Sequence, residues 1–215
     1  MTAPYKEHTS AGELEATLRQ MGIAARATSR VLAKSDKSQR AAALHAMAKA
    51  VTAHEKTILA ANARDLEMAA RSGLSSAFAD RMKLSSAAVH AMAKGIETVA
   101  WLSDSVGAVE AEWTRPNGLK IARVRVPIGV IGIIYESRPN VTADAAGLCV
   151  KAGNACILRG GSEALQSNLA IAACVRAGLK AAGLPETAVQ MVEVADRAAV
   201  GELVTLHEFV DVIVP

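Results

Sequence analysis

The sequence predicts an α/β protein in which a group of N-terminal helices precedes a parallel β-sheet. Helical periodicity fills residues 10–102, and the rest of the chain alternates short β-branched runs with helical ones. Composition agrees, since 51% of the 215 residues are hydrophobic but only 3% are aromatic. Small aliphatic residues of this kind favour helices packed on buried strands.

The helical part carries two amphipathic repeats. Apolar residues recur there at the i, i+3, i+4, i+7 spacing that gives a helix one buried face. They are Leu44, Met47, Ala48 and Val51, and later Val89, Met92, Ile96 and Val99. We expect Asp36 or Ser38 to cap the second helix and Gly73 to end a later one.

A turn is expected at residues 113–118, where a proline precedes an Asn-Gly pair. Beyond it the predicted strands cover 120–126, 128–135, 155–158, 189–194 and 210–214, and the predicted helices cover 143–151, 167–182 and 198–207. The run 128–135 is continuously apolar, which is typical of a strand buried on both faces. Strands that alternate with helices imply right-handed crossovers and a parallel sheet.

Charge and hydropathy exclude several classes of protein. The net charge is only +3 and its cations are dispersed, so we expect no nucleic-acid partner. The uncharged apolar stretch 126–135 is far shorter than the roughly 20 residues that cross a bilayer, so we expect no membrane partner. Residues 1–8 lack the apolar core of a signal peptide, which points to an intracellular protein.

Isolated histidines and an odd number of cysteines bound the chemistry further. His45, His54 and His90 stand alone on helices, so no metal site is expected. Three cysteines argue against a disulfide framework and favour a reducing cytoplasm. Cys149, Cys156 and Cys174 all lie in apolar runs, which is typical of core residues rather than of a reactive thiol.

Two loops follow predicted strands at the edge of the sheet where ligands bind in open parallel sheets. Loop A is residues 136–140, Glu-Ser-Arg-Pro-Asn. Its Asn140 has an amide that can donate to a developing oxyanion, although spacing alone favours an Asx turn or a helix cap. Loop B is residues 159–163, Arg-Gly-Gly-Ser-Glu.

Loop B has features of a nucleotide-binding turn. Arg159 can pair with a phosphate, Gly160 and Gly161 allow close backbone approach, and Ser162 can cap the following helix. A left-handed turn followed by a cap, with the arginine in solvent, explains the same residues, and spacing leaves both interpretations open. Neither the Gly-x-Gly-x-x-Gly fingerprint nor the phosphate-binding Gly-Lys-Ser/Thr loop occurs.

Longer motifs resemble those of a known family. The run 126–142, VPIGVIGIIYESRPNVT, and the run 151–164, KAGNACILRGGSEA, are similar to those of the γ-glutamyl phosphate reductase branch of the aldehyde dehydrogenase superfamily. Shorter matches include Ala61-Asn62 with Asp65, Asp80-Arg81 with Leu84, and residues 116–119. The resemblance implies a Rossmann-like sheet, NADPH or NADP as cofactor, and reduction of γ-glutamyl phosphate to glutamate-5-semialdehyde and phosphate in proline biosynthesis.

The same resemblance assigns expected roles to residues. Asn140 matches the amide that stabilises the oxyanion, so the resemblance reverses the cap interpretation. Arg159 lies where the superfamily has a lysine at the adenosine ribose, and it would suit a 2′-phosphate. Gly160, Gly161, Ser162 and Glu163 follow in the cofactor stretch, while Ser137 and Arg138 are weaker candidates for contacts with the substrate.

The match also carries an expectation about extent. Family members are about twice this length, and none of the three cysteines fits the motif of their catalytic thiol. We therefore expect the N-terminal cofactor-binding half, with a helical segment 1–112 and a βαβ segment 113–215, inactive alone and homo-oligomeric at full length. Alternatives are the reductase portion of a bifunctional pyrroline-5-carboxylate synthase, or a non-catalytic nucleotide-binding or interaction module.

Overall fold

The computed structural model describes residues 10–215, and these form eight α-helices and six β-strands. Five helices precede the first strand, as the periodicity predicts. The helices are α1 (Ala11–Leu32), α2 (Lys37–Ala53), α3 (Glu55–Arg71), α4 (Ser76–Met82), α5 (Ser86–Trp101), α6 (Asn140–Lys151), α7 (Leu165–Ala181) and α8 (Ala198–Thr205). The strands are β1 (Val109–Thr114), β2 (Lys120–Val124), β3 (Val130–Ile134), β4 (Ala155–Arg159), β5 (Val189–Met191) and β6 (Val212–Val214).

Four strands form the predicted parallel sheet, in the order β5-β4-β3-β6. Every residue of β4 is buried, as expected for a central strand covered by helices on both faces. The predicted α/β class is therefore confirmed. In the register of the two inner strands, Ile134 lies opposite Arg159, so the loops that follow β3 and β4 leave the same edge of the sheet.

The other two strands form a hairpin that the sequence revealed only in part. β2 was predicted, but β1, which pairs with it antiparallel, was not. Five of the six β1 residues are exposed, so the strand has no apolar face from which a period could be recognised. The predicted turn is confirmed between them, since the Gly118 amide donates to the Arg115 carbonyl at 2.9 Å.

The helices and the sheet share one hydrophobic core that includes Leu18, Leu44, Ile157 and Ile171, all fully buried. Within it, α2 and α7 approach each other closely. A Cβ on Gly178 would lie only 2.5 Å from the Met47 backbone nitrogen, so the glycine permits the close approach of the two helices. This packing fixes α7, and with it the loop that precedes α7.

Two helix boundaries confirm the predicted caps. Asp36 caps α2 by accepting the Gln39 amide at 2.7 Å, and Gly73 follows the end of α3 with a φ of +71°. Across residues 10–215, no helix combines the length and apolarity needed to cross a membrane. The same residues contain no group of three or more His, Cys, Asp and Glu side chains placed to hold a metal ion.

Candidate functional site

Loops A and B meet at the carboxyl ends of β3 and β4. The Tyr135 amide donates to the Arg159 carbonyl at 3.0 Å, which extends the ladder one step beyond the strands. Further out, the Ser137 hydroxyl donates to a Glu163 carboxylate oxygen, also at 3.0 Å. A residue predicted to contact the substrate is therefore bonded to one predicted to contact the cofactor.

Asn140 is the first residue of α6 and its side chain is exposed. Pro139 occupies the N-cap position without a side-chain cap bond, so Asn140 does not act as the helix cap. Its amide nitrogen instead donates to an Asp144 carboxylate oxygen at 3.0 Å, one turn along the helix. That contact holds the amide at the loop edge of the sheet, where the oxyanion role expected of it stays a prediction.

A buried polar chain lies beneath Asn140. The Tyr135 and Thr142 hydroxyls are 2.7 Å apart, and the Thr142 hydroxyl donates to the side-chain oxygen (Oδ1) of Asn168 at 3.1 Å. Thr142 and Asn168 are both fully buried, and burial raises the pKa of the Tyr135 phenol. These hydrogen bonds connect the first turn of α6 to α7, so the helices that follow loops A and B are held together.

Arg159 is 8% exposed, so its guanidinium is enclosed rather than extended into solvent. One guanidinium nitrogen donates to the Gly160 carbonyl and the other to the Ala195 carbonyl, each at 3.1 Å. The side chain thus bridges the end of β4 and the loop after β5. These two hydrogen bonds do not test the expected contact of Arg159 with the cofactor, which stays a prediction.

Packing within the protein explains the two glycines of loop B. A Cβ on Gly160 would lie 2.3 Å from the Asn168 amide nitrogen and 2.9 Å from the Tyr135 ring. A Cβ on Gly161 would lie 2.6 Å from the Ser137 hydroxyl. A side chain at either glycine would force neighbouring side chains of loop A, loop B or α7 to shift, so packing within the fold favours glycine at both positions.

Loop B borders an open cavity of about 460 Å³ between α3 and the start of α7. Ser162 and Glu163 contribute a hydroxyl and a carboxylate to its wall, and Gln166 contributes an amide. Met68 and Leu165 make part of the wall apolar. A flat apolar ring bearing a polyhydroxylated sugar fits such a lining, so the residues present suit the adenosine end of a nicotinamide dinucleotide.

The start of α7 is capped from a distant helix, a feature that sequence reasoning missed. The expectation that Ser162 caps the helix after loop B is wrong: Ser162 lies in a 3₁₀ turn, and Ala164, whose methyl group cannot accept a hydrogen bond, occupies the N-cap position of α7. The Asp65 carboxylate of α3 accepts instead from two backbone amides, that of Gln166 at 3.1 Å and that of Ser167 at 2.8 Å. Asp65 was noted only as part of a family-like motif. The apolar residue at the N-cap position of α7 was the one local clue to an outside acceptor.

The remaining predicted site residue, Arg138, is exposed, and its backbone amide donates to the Glu136 carbonyl at 2.8 Å. Its side chain is thus on the outer side of loop A, while the hydroxyl of its neighbour Ser137 is turned inward onto Glu163. The two residues proposed for the substrate therefore face different ways. Only Arg138 presents its side chain to solvent.

The three cysteines are buried and free. A hydrogen bond with Cys149 and burial raise the pKa of Cys156, and burial raises the pKa of Cys174 to about 11. A nucleophilic thiol needs the opposite shift and access to substrate. The cysteines therefore act as core residues, as their positions in the sequence predict.

A parallel sheet flanked by helices, with two linked loops at its carboxyl edge, defines an α/β fold, and the chain belongs to the aldehyde dehydrogenase family, whose model matches residues 7–214. Among curated proteins it is similar to the γ-glutamyl phosphate reductase of Paramagnetospirillum magneticum, with 55% identity over 203 residues, 94% of this chain and 48% of that protein. The corresponding protein of Rhodospirillum rubrum is 57% identical over 195 residues, 91% of this chain and 46% of its own.

A solved structure agrees with these matches. The crystal structure of γ-glutamyl phosphate reductase from Thermotoga maritima superposes with a TM-score of 0.90 at 41% identity, covering 92% of this chain and 48% of that one. The chain spans about half the length of the curated relatives it matches. The family resemblance inferred from the sequence motifs is therefore confirmed.

Proposed function

We propose that the chain is the cofactor-binding part of an enzyme that reduces γ-glutamyl phosphate to glutamate-5-semialdehyde and phosphate with NADPH, a step of proline biosynthesis. The observation that carries the proposal is the cavity beside loop B, with Ser162 and Glu163 in its wall. The named relatives support the choice of substrate.

Each group at the loop edge has a part in this reaction. NADPH supplies the hydride. Glu163 is suited to accept bonds from ribose hydroxyls, and the Arg159 guanidinium to neutralise a 2′-phosphate. The exposed Asn140 amide donates to the carbonyl oxygen of the acyl group as negative charge develops there, a contact worth about 2.7–4 kcal/mol in other enzymes. Arg138 attracts the anionic substrate.

The acyl phosphate is expected to be attacked by a thiolate, which releases phosphate and leaves a thioester for reduction. None of Cys149, Cys156 and Cys174 is an exposed thiol, so these 215 residues do not supply that nucleophile. We therefore expect the chain to bind NADPH without catalysing the reduction. Substrate-dependent oxidation of NADPH by the purified chain would contradict this expectation.

A binding titration tests the cofactor assignment. NADPH fluorescence is followed as the chain is added, with Glu163→Ala as the test variant and Glu186→Ala as the control. Within residues 10–215, the one ion pair of Glu186 is with the exposed Lys180, at 3.3 Å. Saturable binding that Glu163→Ala weakens and Glu186→Ala does not supports the proposal. Absence of binding by the unmodified chain rejects it.

Two further properties rest on the family and on the surface. The three free cysteines suit a reducing cytoplasm, which we propose as the location. Self-association, expected of full-length family members, is supported by apolar side chains exposed on the hairpin, where Val109 is 56% and Trp113 is 45% exposed. Light scattering of the purified chain, with Trp113→Ser as the variant, tests whether the hairpin contributes.

A non-catalytic nucleotide-binding module is the second candidate, and the burial of every thiol in the chain favours it. It predicts the same binding of NADPH. Only the reductase assignment predicts that γ-glutamyl phosphate, or a stable analogue of it, binds beside the nucleotide and that Arg138→Ala weakens this binding. A substrate analogue that shows no affinity for the NADPH-loaded chain favours the module.

A further inference from the structure

Asp65 belongs to a motif with Asn62 that the proposed function leaves without a role. Both residues lie on α3, far from loop B in the sequence, and both are 2% exposed. Long polar side chains are rarely buried this fully unless they have partners. Their partners lie at the start of α7 and at the connection after α4.

The bonds form a closed cluster. Asp65 accepts from the Ser167 hydroxyl at 2.6 Å in addition to the two amides of α7, and Asn62 donates to the same hydroxyl oxygen at 3.1 Å. Asn62 also donates to the Met82 carbonyl at 2.9 Å and accepts from the Leu84 amide at 2.8 Å. We call Asn62, Asp65 and Ser167 the α3–α7 clamp.

The clamp acts where α7 has no cap of its own. The first amides of a helix need acceptors from outside, and negative charge there interacts favourably with the helix dipole. Ala164 provides neither an acceptor nor a negative charge. The Asp65 carboxylate on α3 provides both. Burial raises the pKa of the Asp65 carboxyl, against the hydrogen bonds from Ser167 and Gln166, which lower it.

Loop B is joined directly to this helix start. Residues 162–164 form a single 3₁₀ turn between Gly161 and α7, so displacement of the first α7 amides moves Ser162 and Glu163 with them. Asp65 also lines the cavity that these two residues border. The cap is therefore placed where it sets the geometry of the proposed cofactor contacts.

We infer that Asp65 is a positioning residue for the cofactor, which it never has to touch, because it fixes the start of α7 and so holds Ser162 and Glu163 in place. The inference rests on the proposed function for its ligand. The effect of Asp65 on the order of loop B can be measured without that ligand.

The test variant is Asp65→Asn, which keeps the shape but turns an amide N–H₂ toward backbone donors. Its matched control is Asp36→Asn, which removes the carboxylate charge at the exposed start of α2 but keeps an oxygen for the one backbone amide accepted there. Hydrogen exchange of the apo chain is expected to accelerate about tenfold at residues 160–167 in Asp65→Asn only. The dissociation constant for NADPH is expected to rise about tenfold in that variant and to stay unchanged in the control.

The outcomes separate the two claims. Unchanged exchange at 160–167 in Asp65→Asn overturns the inference, as does faster exchange with an unchanged dissociation constant. A wild-type chain that binds no NADPH rejects the proposed function, and the exchange data still decide whether Asp65 holds the loop. If circular dichroism shows that Asp65→Asn does not fold, Ser167→Ala replaces it, since it keeps the carboxylate and removes one donor.

Discussion

The Ser137 hydroxyl donates to the Glu163 carboxylate across the gap between loops A and B, with 3.0 Å between the two oxygens. Ser137 is 4% exposed, so the bond is sheltered from water on one side. It joins the loop proposed to meet the substrate to the loop proposed to meet the cofactor. Because bonds to charged groups are stronger than neutral ones, this one contributes to the order of both loops.

Ser137→Ala is expected to lower the free energy of unfolding by about 1–2 kcal/mol, because a buried hydrogen bond to a carboxylate is lost. Urea unfolding measures the change. Thr98→Ala is the control, since Thr98 donates only to the Lys94 carbonyl on an exposed helix face and should change stability by less than about 0.5 kcal/mol. Equal effects of the two variants would show that the bond between the loops contributes no more than a surface one.

Arg159→Ala is expected to reduce the preference for NADPH over NADH, because the guanidinium is proposed to meet the 2′-phosphate. Fluorescence titration with both cofactors measures it, and the NADPH constant should rise about tenfold or more. The variant also loses the bonds to the Gly160 and Ala195 carbonyls, so a purely structural effect would weaken both cofactors alike. An unchanged ratio therefore rejects selection by Arg159.

Asp211 supports the opposite end of the sheet and makes stability depend on pH. Its carboxylate accepts hydrogen bonds from the two terminal guanidinium nitrogens of Arg26, each at 2.8 Å, and from the Val130 backbone amide, also at 2.8 Å. The hydrogen bond from Arg26 lowers the pKa of this carboxyl below its value in the unfolded chain. The stabilisation is therefore present above about pH 4 and is lost as the pH falls through the lower native pKa.

Asp211→Asn is accordingly expected to cost about 1–3 kcal/mol at pH 7 and progressively less below about pH 4. Urea unfolding across that range measures the difference from wild type. Glu208→Gln is the control, because its ion pair with Arg19 is more than half exposed on both sides and contributes little. A difference between Asp211→Asn and wild type that is constant with pH would contradict this assignment.

Two helical glycines are expected to respond to alanine in opposite directions. Gly178→Ala forces a Cβ to within 2.7 Å of the Met47 Cα, so the helices must separate, at a cost of about 1–3 kcal/mol or more. Gly201 on α8 has no atom within 4 Å of the corresponding position. Gly201→Ala should therefore stabilise the chain by about 0.5–1 kcal/mol, and thermal unfolding compares the pair. Destabilisation by both would show that α8 packs more tightly than the structure describes.

The parts of the fold that sequence predicts are those with strong local patterns. β3 is an apolar run rich in β-branched residues, and β4 is a short apolar run. β4 is buried throughout, whereas β3, expected to be buried on both faces, is only partly so, since its three isoleucines are half-buried. β1 has no such pattern because both of its faces are largely exposed, so its pairing with β2 had to be observed. The strand order of the parallel sheet, β5-β4-β3-β6, was likewise not predictable, since pairing depends on contacts between distant segments.

The candidate site likewise combines features that local sequence patterns predict with contacts that only the structure reveals. Loops A and B were predicted from their positions after strands, and Asn140 and Glu163 lie there. Contacts between distant positions were not predictable, because nothing local records that Asp65 meets an amide 102 residues further along the chain. Spacing left a bound ligand and a left-handed turn equally open as the reason for Gly160 and Gly161, whereas the Asn168 and Ser137 side chains that crowd a Cβ there become visible only in three dimensions.

Amide hydrogen exchange of the chain with and without NADPH tests the proposed cofactor site, because it reports binding and location together. Slower exchange with NADPH is expected over residues 159–166, where loop B and the start of α7 border the cavity, and no change is expected over α2. Absence of protection at millimolar NADPH, or protection confined to segments away from loop B, would contradict the proposed site.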